Sequence, residues 1–168
     1  MQQNPYIIFQ NWYEEAKLTE LSDPDAACVA TVDKDGLPNA RMLLIRKIDE
    51  RGFCFFTNFE SQKGQELLAS QKAALNFHWK SLNRQVRVRG EISIVEKDEV
   101  DSYYASRPLE NRISAWASIQ SRPLLKREDL TTRVAEFENK FGANPPCPAH
   151  WGGFRLHPVS IEFWQEGE

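Results

Sequence analysis

The stretch AACVATVDKDGLPNARMLLIRKI, residues 26–48, decides the class of fold. Its apolar first part predicts a buried strand over 26–32, and its second apolar run predicts a strand over 39–48. Between them Lys34-Asp35-Gly36 predicts a turn, because aspartate followed by glycine is typical of tight chain reversals. Two strands joined by a short turn form an antiparallel hairpin, so we expect the sheet to start with one.

Further strand patterns follow this hairpin, and helical patterns stand before and after the strands. Phe9, Trp12, Tyr13 and Ala16 repeat at helical spacing and predict an amphipathic helix over 5–21. The other predicted helices cover 62–70, 97–106, 110–119 and 126–141, and the other predicted strands cover 53–57, 73–79, 84–95, 153–157 and 159–164. Early hairpins with late helices predict a mainly β (α+β) fold, an antiparallel barrel with peripheral helices.

Length and composition indicate one globular domain. The chain has 168 residues, of which 41% are hydrophobic and 27% charged. Its net charge of −3 lacks the basic excess of nucleic-acid binders, and no apolar stretch approaches the ~20 residues of a membrane span. The cysteines, Cys28, Cys54 and Cys147, are far apart, which fits reduced thiols in a cytoplasmic protein. We therefore expect no nucleic-acid or membrane partner.

Several familiar sites are absent from the sequence. It contains no GxGxxG or GxxxxGK[ST] loop, no HExxH pair and no GxSxG elbow. The histidines, His78, His150 and His157, lack the spacing of metal ligands on a helix. We therefore expect neither a metal site nor the usual nucleotide-binding loops.

Ser61-Gln62-Lys63 marks one candidate anion site, because a strand is predicted to end and a helix to begin there. Free backbone N–H groups and the positive end of the helix dipole favour a phosphate, and Lys63 adds a full charge. The alternative is a simple helix cap at Ser61 beside a solvated lysine. The local sequence leaves both interpretations open.

Two segments with arginines are further candidates. Arg41 and Arg46 have opposite parity on the strand predicted over 39–48, so at most one should point into a given pocket; solvated edge charges are the alternative. Tyr103 and Arg107 are four residues apart, so they share a helix face and could clamp a phosphate. The alternative there is a tyrosine packed over the arginine stem.

The strand predicted over 84–95 has an apolar face and a polar face. Gln85, Arg87 and Arg89 lie on the polar face, which cannot be buried in an apolar core without partners. A solvent-exposed face, a subunit interface and a cofactor wall are each consistent with this pattern. Gly90 interrupts the strand and predicts a β-bulge.

Eight segments occur in an order and spacing that resemble the pyridoxine/pyridoxamine 5'-phosphate oxidase family over nearly the whole chain. They are RMLLIRK (41–47), FFTN (55–58), SQKG (61–64), LNRQVRVRG (82–90), YYASRP (103–108), AWASIQS (115–121), WGGFR (151–155) and IEFWQ (161–165). The resemblance implies an antiparallel split β-barrel that forms a homodimer, with FMN at the subunit interface. It also implies oxidation of pyridoxine or pyridoxamine 5'-phosphate to pyridoxal 5'-phosphate in vitamin B6 salvage, with hydride transfer from substrate C4′ to flavin N5 and O2 as the final acceptor.

The resemblance implies site residues at the matching positions, some of them contributed by the second subunit. Cofactor contacts are expected at Arg41, Met42, Leu43, Leu44, Ile45, Arg46, Phe56, Thr57, Gln62, Lys63, Gln85, Gln120, Ser121 and Trp164. Contacts to a phosphorylated B6 vitamer are expected at Arg46, Tyr103, Arg107 and Asn111. Arg41 and Lys63 are expected near the FMN phosphate. The resemblance assigns no catalytic acid or base and no metal.

The chain departs from the family pattern at several of these positions. Arg46 replaces a lysine, Gln62 an arginine and Asn111 a serine, and Arg112 adds a positive charge next to the last of these. Gln62 removes a positive charge from the expected phosphate site, although phenazine-biosynthesis oxidases, a sister group, also have Ser-Gln-Lys there. A flavin oxidase that acts on another substrate, of the phenazine type, is therefore one alternative function.

The end of the chain also differs from the family pattern. It stops at Glu168, shortly after Phe163-Trp164-Gln165, where the family continues with an Arg-Leu-His motif and further strands. We expect a single FMN-binding domain over 1–168 without those strands. Arg155-Leu156-His157 has the same letters but an earlier position, so we interpret it as part of a strand. A non-catalytic module that binds FMN or pyridoxal phosphate is the second alternative.

Overall fold

The computed structural model describes residues 4–167. Its helices are α1 (Pro5–Thr19), α2 (Gln62–Ser70), α3 (Lys97–Ser106), α4 (Leu109–Ala117) and α5 (Arg127–Phe141). Its strands are β1 (Ala26–Val32), β2 (Pro38–Leu44), β3 (Lys47–Asp49), β4 (Gly52–Asn58), β5 (Lys72–Trp79), β6 (Arg84–Ile94) and β7 (Trp151–Gln165), and a 3₁₀ turn covers Lys80–Leu82. No helix among these residues has both the length and the apolar character needed to cross a membrane.

The strands form one seven-stranded sheet in the order β2-β1-β5-β6-β7-β4-β3. β1 runs antiparallel to β2 and to β5, β5 is antiparallel to β6, and β3 is antiparallel to β4. The first hairpin pairs Cys28 with Met42 and Ala30 with Ala40. The predicted hairpin and the antiparallel, mainly β fold with added helices are confirmed.

The chain divides into two compact units. The sheet unit consists of the chain up to Phe55, Glu66–Ser93 and the chain from Phe154 onward, and the helical unit consists of Phe56–Gln65 and Ile94–Gly153. Helix α2 contributes its first four residues to the helical unit and the rest to the sheet unit. The predicted site residues are therefore divided between the two units.

Aromatic side chains form the core of the sheet unit. Phe9 on α1 is fully buried, and its ring centroid lies 5.2 Å from Phe53, 5.0 Å from Phe77 and 5.6 Å from Trp79. Burial of a phenylalanine ring stabilises a fold by roughly 2–3 kcal/mol, so this cluster fixes α1 against the sheet. The helix begins where Asn4 caps its N-terminus and ends at Thr19, two residues before the predicted end.

The single strand predicted over 39–48 is wrong. The structure has two strands there, because β2 pairs with β1 and β3 pairs with β4. The change of partner occurs at Ile45 and Arg46, whose backbone N–H groups donate to Asp25 O at 2.9 Å and to Cys54 O at 2.8 Å. The parity argument for Arg41 and Arg46 therefore does not apply, since the two residues do not share a strand.

The closing strands and the predicted bulge also differ from expectation. β7 is continuous, so the two short strands predicted at 153–157 and 159–164 are one strand. Gly90 pairs in regular register with Ala73 of β5, without a bulge. A Cβ at Gly90 would lie 1.9 Å from the carbonyl oxygen of His157, so the glycine is needed for close approach of two backbones.

The helical unit is built around Trp116 on α4. Its ring centroid lies 5.6 Å from Phe137 and 4.8 Å from Phe141, which are both on α5. Its Nε1–H donates to Pro146 O at 2.7 Å, so the indole also fixes the loop that follows α5. The helices of this unit start and end within two residues of the predicted positions.

Candidate cofactor and substrate site

Ser61 caps helix α2 in the helical unit. The residue is fully buried, and its Oγ accepts the backbone N–H of Gly64 at 3.2 Å, so the predicted helix cap is confirmed. Gly64 was not singled out from the sequence. A Cβ at this position would lie 2.4 Å from Phe59 O, so only glycine allows the chain to enter α2 this tightly.

A loop after α4 contacts the start of α2. The backbone N–H of Gln62 donates to Ser121 Oγ at 3.1 Å. Lys63 Nζ donates to Gln120 Oε1 at 3.1 Å and to Ser61 Oγ at 3.3 Å. Four predicted cofactor residues, Gln62, Lys63, Gln120 and Ser121, are therefore brought together, and with Ser61 they are called the α2 cradle below. Their role as cofactor ligands stays a prediction.

The predicted substrate residues Tyr103 and Arg107 meet at Trp151. The ring of Tyr103 is stacked 4.0 Å from Phe56, between centroids, and 6.2 Å from Trp151. Arg107 Cζ lies 4.8 Å from the Trp151 ring centroid, a cation–π contact. Phe56, a predicted cofactor residue, thus shares one aromatic stack with two predicted substrate residues. The indole of Trp151 is buried.

Three further residues of the helical unit have simpler surroundings. Thr57 is buried on β4, and Asn111 is exposed on α4. Arg112 donates from Nε to Arg107 O at 3.1 Å and from Nη2 to Ala143 O at 3.3 Å. Its guanidinium thus ties two backbone segments together, and a contribution of its positive charge to ligand binding stays a prediction.

Cys147 has no features of a nucleophile, although it borders a cavity of about 510 Å³ in the helical unit. Burial, with the added charge of Asp101, raises the pKa of its thiol to about 11. A thiol with this pKa is protonated at neutral pH and reacts poorly. Among residues 4–167, no cluster of three or more histidine, cysteine or acidic side chains could hold a metal ion.

In the sheet unit, Arg41 belongs to a buried polar cluster. Its Nη1 donates to Val29 O at 3.1 Å and to Thr31 Oγ1 at 2.6 Å, and its Nη2 lies 3.4 Å from Glu66 Oε2. The Thr31 hydroxyl donates to the same Glu66 oxygen. Sequence reasoning missed Glu66 and Thr31, since neither lies in a recognisable anion-binding pattern.

A second part of the sheet unit carries a cavity of about 580 Å³, which charged side chains such as Glu20 and Asp23 line together with apolar ones. Met42, Leu43 and Leu44, all predicted cofactor residues, line it together with Asn76 and His78. The Oδ1 atom of Asn76 is buried, and within the described chain it has no hydrogen-bond partner.

The remaining predicted residues of the sheet unit are scattered. Ile45 is 2% exposed, so its side chain belongs to the core. Arg46 forms an exposed ion pair with Asp25, with Nη1 and Oδ2 2.9 Å apart. Gln85 on β6 pairs with His78 on β5, and Trp164 near the end of β7 is half exposed.

The chemical character of these side chains is compatible with FMN. In the helical unit, Lys63 at a helix N-terminus suits a phosphate; in the sheet unit, taken by itself, Arg41 is a cation of the kind that binds oxyanions. The 580 Å³ cavity lies in the range of about 300–1,000 Å³ that is usual for small-molecule sites.

Comparison with known proteins adds three likenesses. The sequence pattern of the family described as "Pyridoxamine 5'-phosphate oxidase" matches residues 13–141. A curated protein of Agrobacterium fabrum, named pyridoxine/pyridoxamine 5'-phosphate oxidase, is 56% identical over 163 residues, which cover 96% of this chain and 79% of that protein. Among solved structures, PhzG from Burkholderia lata, in complex with tetrahydrophenazine-1-carboxylic acid, has a TM-score of 0.92 at 30% identity and covers 98% of this chain and 81% of its own.

A more distant solved structure bears on the fold alone. An FMN-binding protein of Nostoc punctiforme, described as related to pyridoxamine 5'-phosphate oxidase, has a TM-score of 0.80 at 16% identity. The superposition covers 98% of this chain and 87% of the other. Similarity of this extent at such low identity indicates a shared architecture, and it says nothing about which ligand this chain binds.

Proposed function

This chain belongs to the pyridoxamine 5'-phosphate oxidase family, and from that premise we propose that it is an FMN-dependent oxidase that converts pyridoxine or pyridoxamine 5'-phosphate to pyridoxal 5'-phosphate. The split β-barrel that the sequence implied is confirmed as its fold. The observation that carries the proposal is the α2 cradle, where Lys63, Gln120 and Ser121 converge on a helix N-terminus.

In this proposal the α2 cradle binds the FMN phosphate. Lys63 supplies a full positive charge, and the α2 N-terminus supplies a partial one. When bound there, FMN would supply the hydride acceptor, and O2 would be the final electron acceptor; the side chains of the protein do not supply this redox chemistry themselves. Met42, Leu43 and Leu44 of the sheet unit are proposed as contacts of the isoalloxazine ring on the strength of the family resemblance.

The substrate phosphate is assigned to Tyr103 and Arg107. Arg107 is held over the Trp151 ring, and Tyr103 is stacked on Phe56, so both side chains are fixed before a ligand arrives. Such preorganisation lowers the entropy cost of binding. Arg46 and Asn111 are proposed as further substrate contacts on the strength of the family resemblance.

We also propose that the protein is a homodimer with FMN at its interface. In the single chain, the outer surface of β1 and β2 exposes apolar side chains: Met42 is 62% exposed and Val32 is 40% exposed. A second copy that covered this surface would bury them, and Gln85 of either copy could then reach the flavin. The cysteines are thiols and not disulfides, which fits the cytoplasmic location that we propose.

A second candidate is a flavin oxidase with another substrate. The structural similarity to PhzG, solved with tetrahydrophenazine-1-carboxylic acid, favours this alternative, and so does the Ser-Gln-Lys sequence at 61–63, which resembles that of phenazine-biosynthesis oxidases. The alternative predicts that a phosphate group on the substrate contributes little to turnover.

Turnover of pyridoxine 5'-phosphate and of unphosphorylated pyridoxine distinguishes the two candidates. We expect kcat/KM to favour the phosphorylated compound by at least about a hundredfold, as loss of charge-assisted contacts to a phosphate implies. Arg107→Ala should remove most of this preference, whereas Arg127→Ala, a change at an exposed position of α5, should leave it intact. Equal turnover of both compounds would support the second candidate, and an unaltered preference in Arg107→Ala would contradict the role of Arg107.

A further inference from the structure

Glu66 is a buried carboxylate on α2 that the family resemblance did not single out. The residue is 6% exposed, and Thr31, which donates a hydrogen bond to it, is 1% exposed. A buried carboxylate is costly unless it is paired, and Arg41 is one cation that pairs with it, with its Nη2 3.4 Å from Glu66 Oε2. Asn39 Nδ2 donates to the second carboxylate oxygen at 3.4 Å. If Arg41 moved away, the buried carboxylate of Glu66 would lose the positive charge of Arg41. This cost holds Arg41 in its place.

The hydrogen bonds of Arg41 determine which part of its guanidinium remains available. The group carries five N–H donors, two on each terminal nitrogen and one on Nε. Both Nη1 donors are used, on Val29 O and on Thr31 Oγ1, and one Nη2 donor is directed to Glu66. Within residues 4–167 no acceptor takes the Nε–H of Arg41.

The two donors that remain, the Nε–H and the second Nη2–H, lie on one edge of the planar group. Two parallel N–H groups on one edge are the arrangement that binds an oxyanion through two oxygens. The side chain of Arg41 is 22% exposed, so it is not sealed in the core. The polar cluster thus uses one edge of Arg41 and leaves the edge that is suited to a phosphate.

We propose that Glu66 and Thr31 are positioning residues, which hold Arg41 so that its Nε/Nη2 edge binds the FMN phosphate. This inference rests on the proposed function and adds to it the residues that orient one of its ligands. Because Glu66 is itself negative, it does not attract the phosphate, and its contribution is to fix a geometry. The hydrogen-bonding capacity of residue 66, rather than its charge, is therefore what phosphate binding requires.

The test compares FMN with riboflavin, which has the same ring system but no phosphate. Flavin-free protein is titrated with each flavin, and quenching of flavin fluorescence gives the two dissociation constants. Glu66→Ala should weaken FMN binding by about tenfold or more, the effect of losing the geometry of a charge-assisted hydrogen bond, and leave riboflavin binding within about twofold. Glu66→Gln, whose amide oxygen can still accept, should restore most of the FMN affinity. Glu14→Ala, which removes a carboxylate from an exposed ion pair with Lys17, is the matched control and should change neither constant.

A purely structural role for Glu66 would weaken both flavins in parallel, and that result would overturn the proposal. An unchanged FMN affinity in Glu66→Ala would overturn it as well. If Glu66→Ala does not fold, Thr31→Val replaces it, since this change removes only the bridging hydroxyl; a selective loss of FMN affinity supports the proposal and equal affinity contradicts it. Failure of the wild-type protein to bind FMN at all would instead refute the proposed function, and the inference with it.

Discussion

Arg155 is an almost fully buried guanidinium, and its carboxylate partner is Asp49. Arg155 Nη1 lies 3.1 Å from Asp49 Oδ1, while Arg51 Nη2 binds the other carboxylate oxygen at 2.9 Å. Partial burial by itself raises the pKa of Asp49, but the hydrogen bonds from Arg51 and the charge of Arg155 outweigh it, so the net pKa lies below its usual value. The segment Arg155-Leu156-His157 thus has a structural partner in β3, in agreement with its interpretation as part of a strand.

Asp49→Asn should destabilise the fold by roughly 2 kcal/mol at pH 7, because it removes the negative charge of Asp49 from the buried guanidinium of Arg155. Urea unfolding measures the change, and Asp35→Asn, in an exposed pair with Lys34, should cost less than about 0.5 kcal/mol. The pair's contribution is present above the unfolded pKa of about 3.9 and is lost as the pH falls through the lower, folded pKa. The difference in the free energy of unfolding between wild type and Asp49→Asn should therefore become smaller below about pH 4. A difference in the free energy of unfolding that stays constant down to pH 2 would contradict this role of Asp49.

Individual site residues could be predicted from the sequence only where a motif surrounds them. Lys63 lies in a strand-to-helix pattern, and the structure does place it at a capped helix N-terminus beside Gln120. Glu66 lies outside any such pattern. Its partners Thr31 and Arg41 are 35 and 25 residues away in the chain, and only the sheet brings the three together.

The periodicity of apolar residues predicted well which segments form helices or strands. It did not predict which strands pair with each other. The strand pattern over 39–48 is continuous in the sequence, and yet β2 and β3 have different partners and separate at Ile45. Pro158 falls inside β7 without ending it. Pairing partners are set by contacts between distant segments, which a local pattern of apolar residues does not encode.

Gly90→Ala tests the close approach of β6 and β7. The added Cβ would meet the carbonyl oxygen of His157, which is backbone and cannot rotate away, so we expect a loss of about 1–3 kcal/mol. Gly167→Ala is the control, since nothing lies within 4 Å of its added Cβ, and its stability should match wild type. Equal urea midpoints for the two variants would show that the strands are further apart than described.

At the scale of the whole molecule, the exposed apolar surface of β1 and β2 predicts a dimer, in which a second copy of the chain covers this surface. Sedimentation should find a dimer, and Met42→Glu should raise the dimer dissociation constant by about a hundredfold, because it places an unpaired charge in an apolar interface. Leu18→Glu, at a residue 87% exposed on α1, should leave the dimer intact. A wild-type protein that sediments as a monomer with FMN bound would refute the dimer.

The most direct test of the proposed activity is anaerobic mixing of the FMN-loaded protein with pyridoxine 5'-phosphate while flavin absorbance is followed. The proposal predicts bleaching of the flavin band as the substrate is oxidised, and recovery of the band when O2 is admitted. This outcome would show that Arg46, Gln62 and Asn111 are compatible with the family's reaction. A flavin band that does not bleach would contradict the proposed oxidation of pyridoxine 5'-phosphate, while the split-barrel fold would stand.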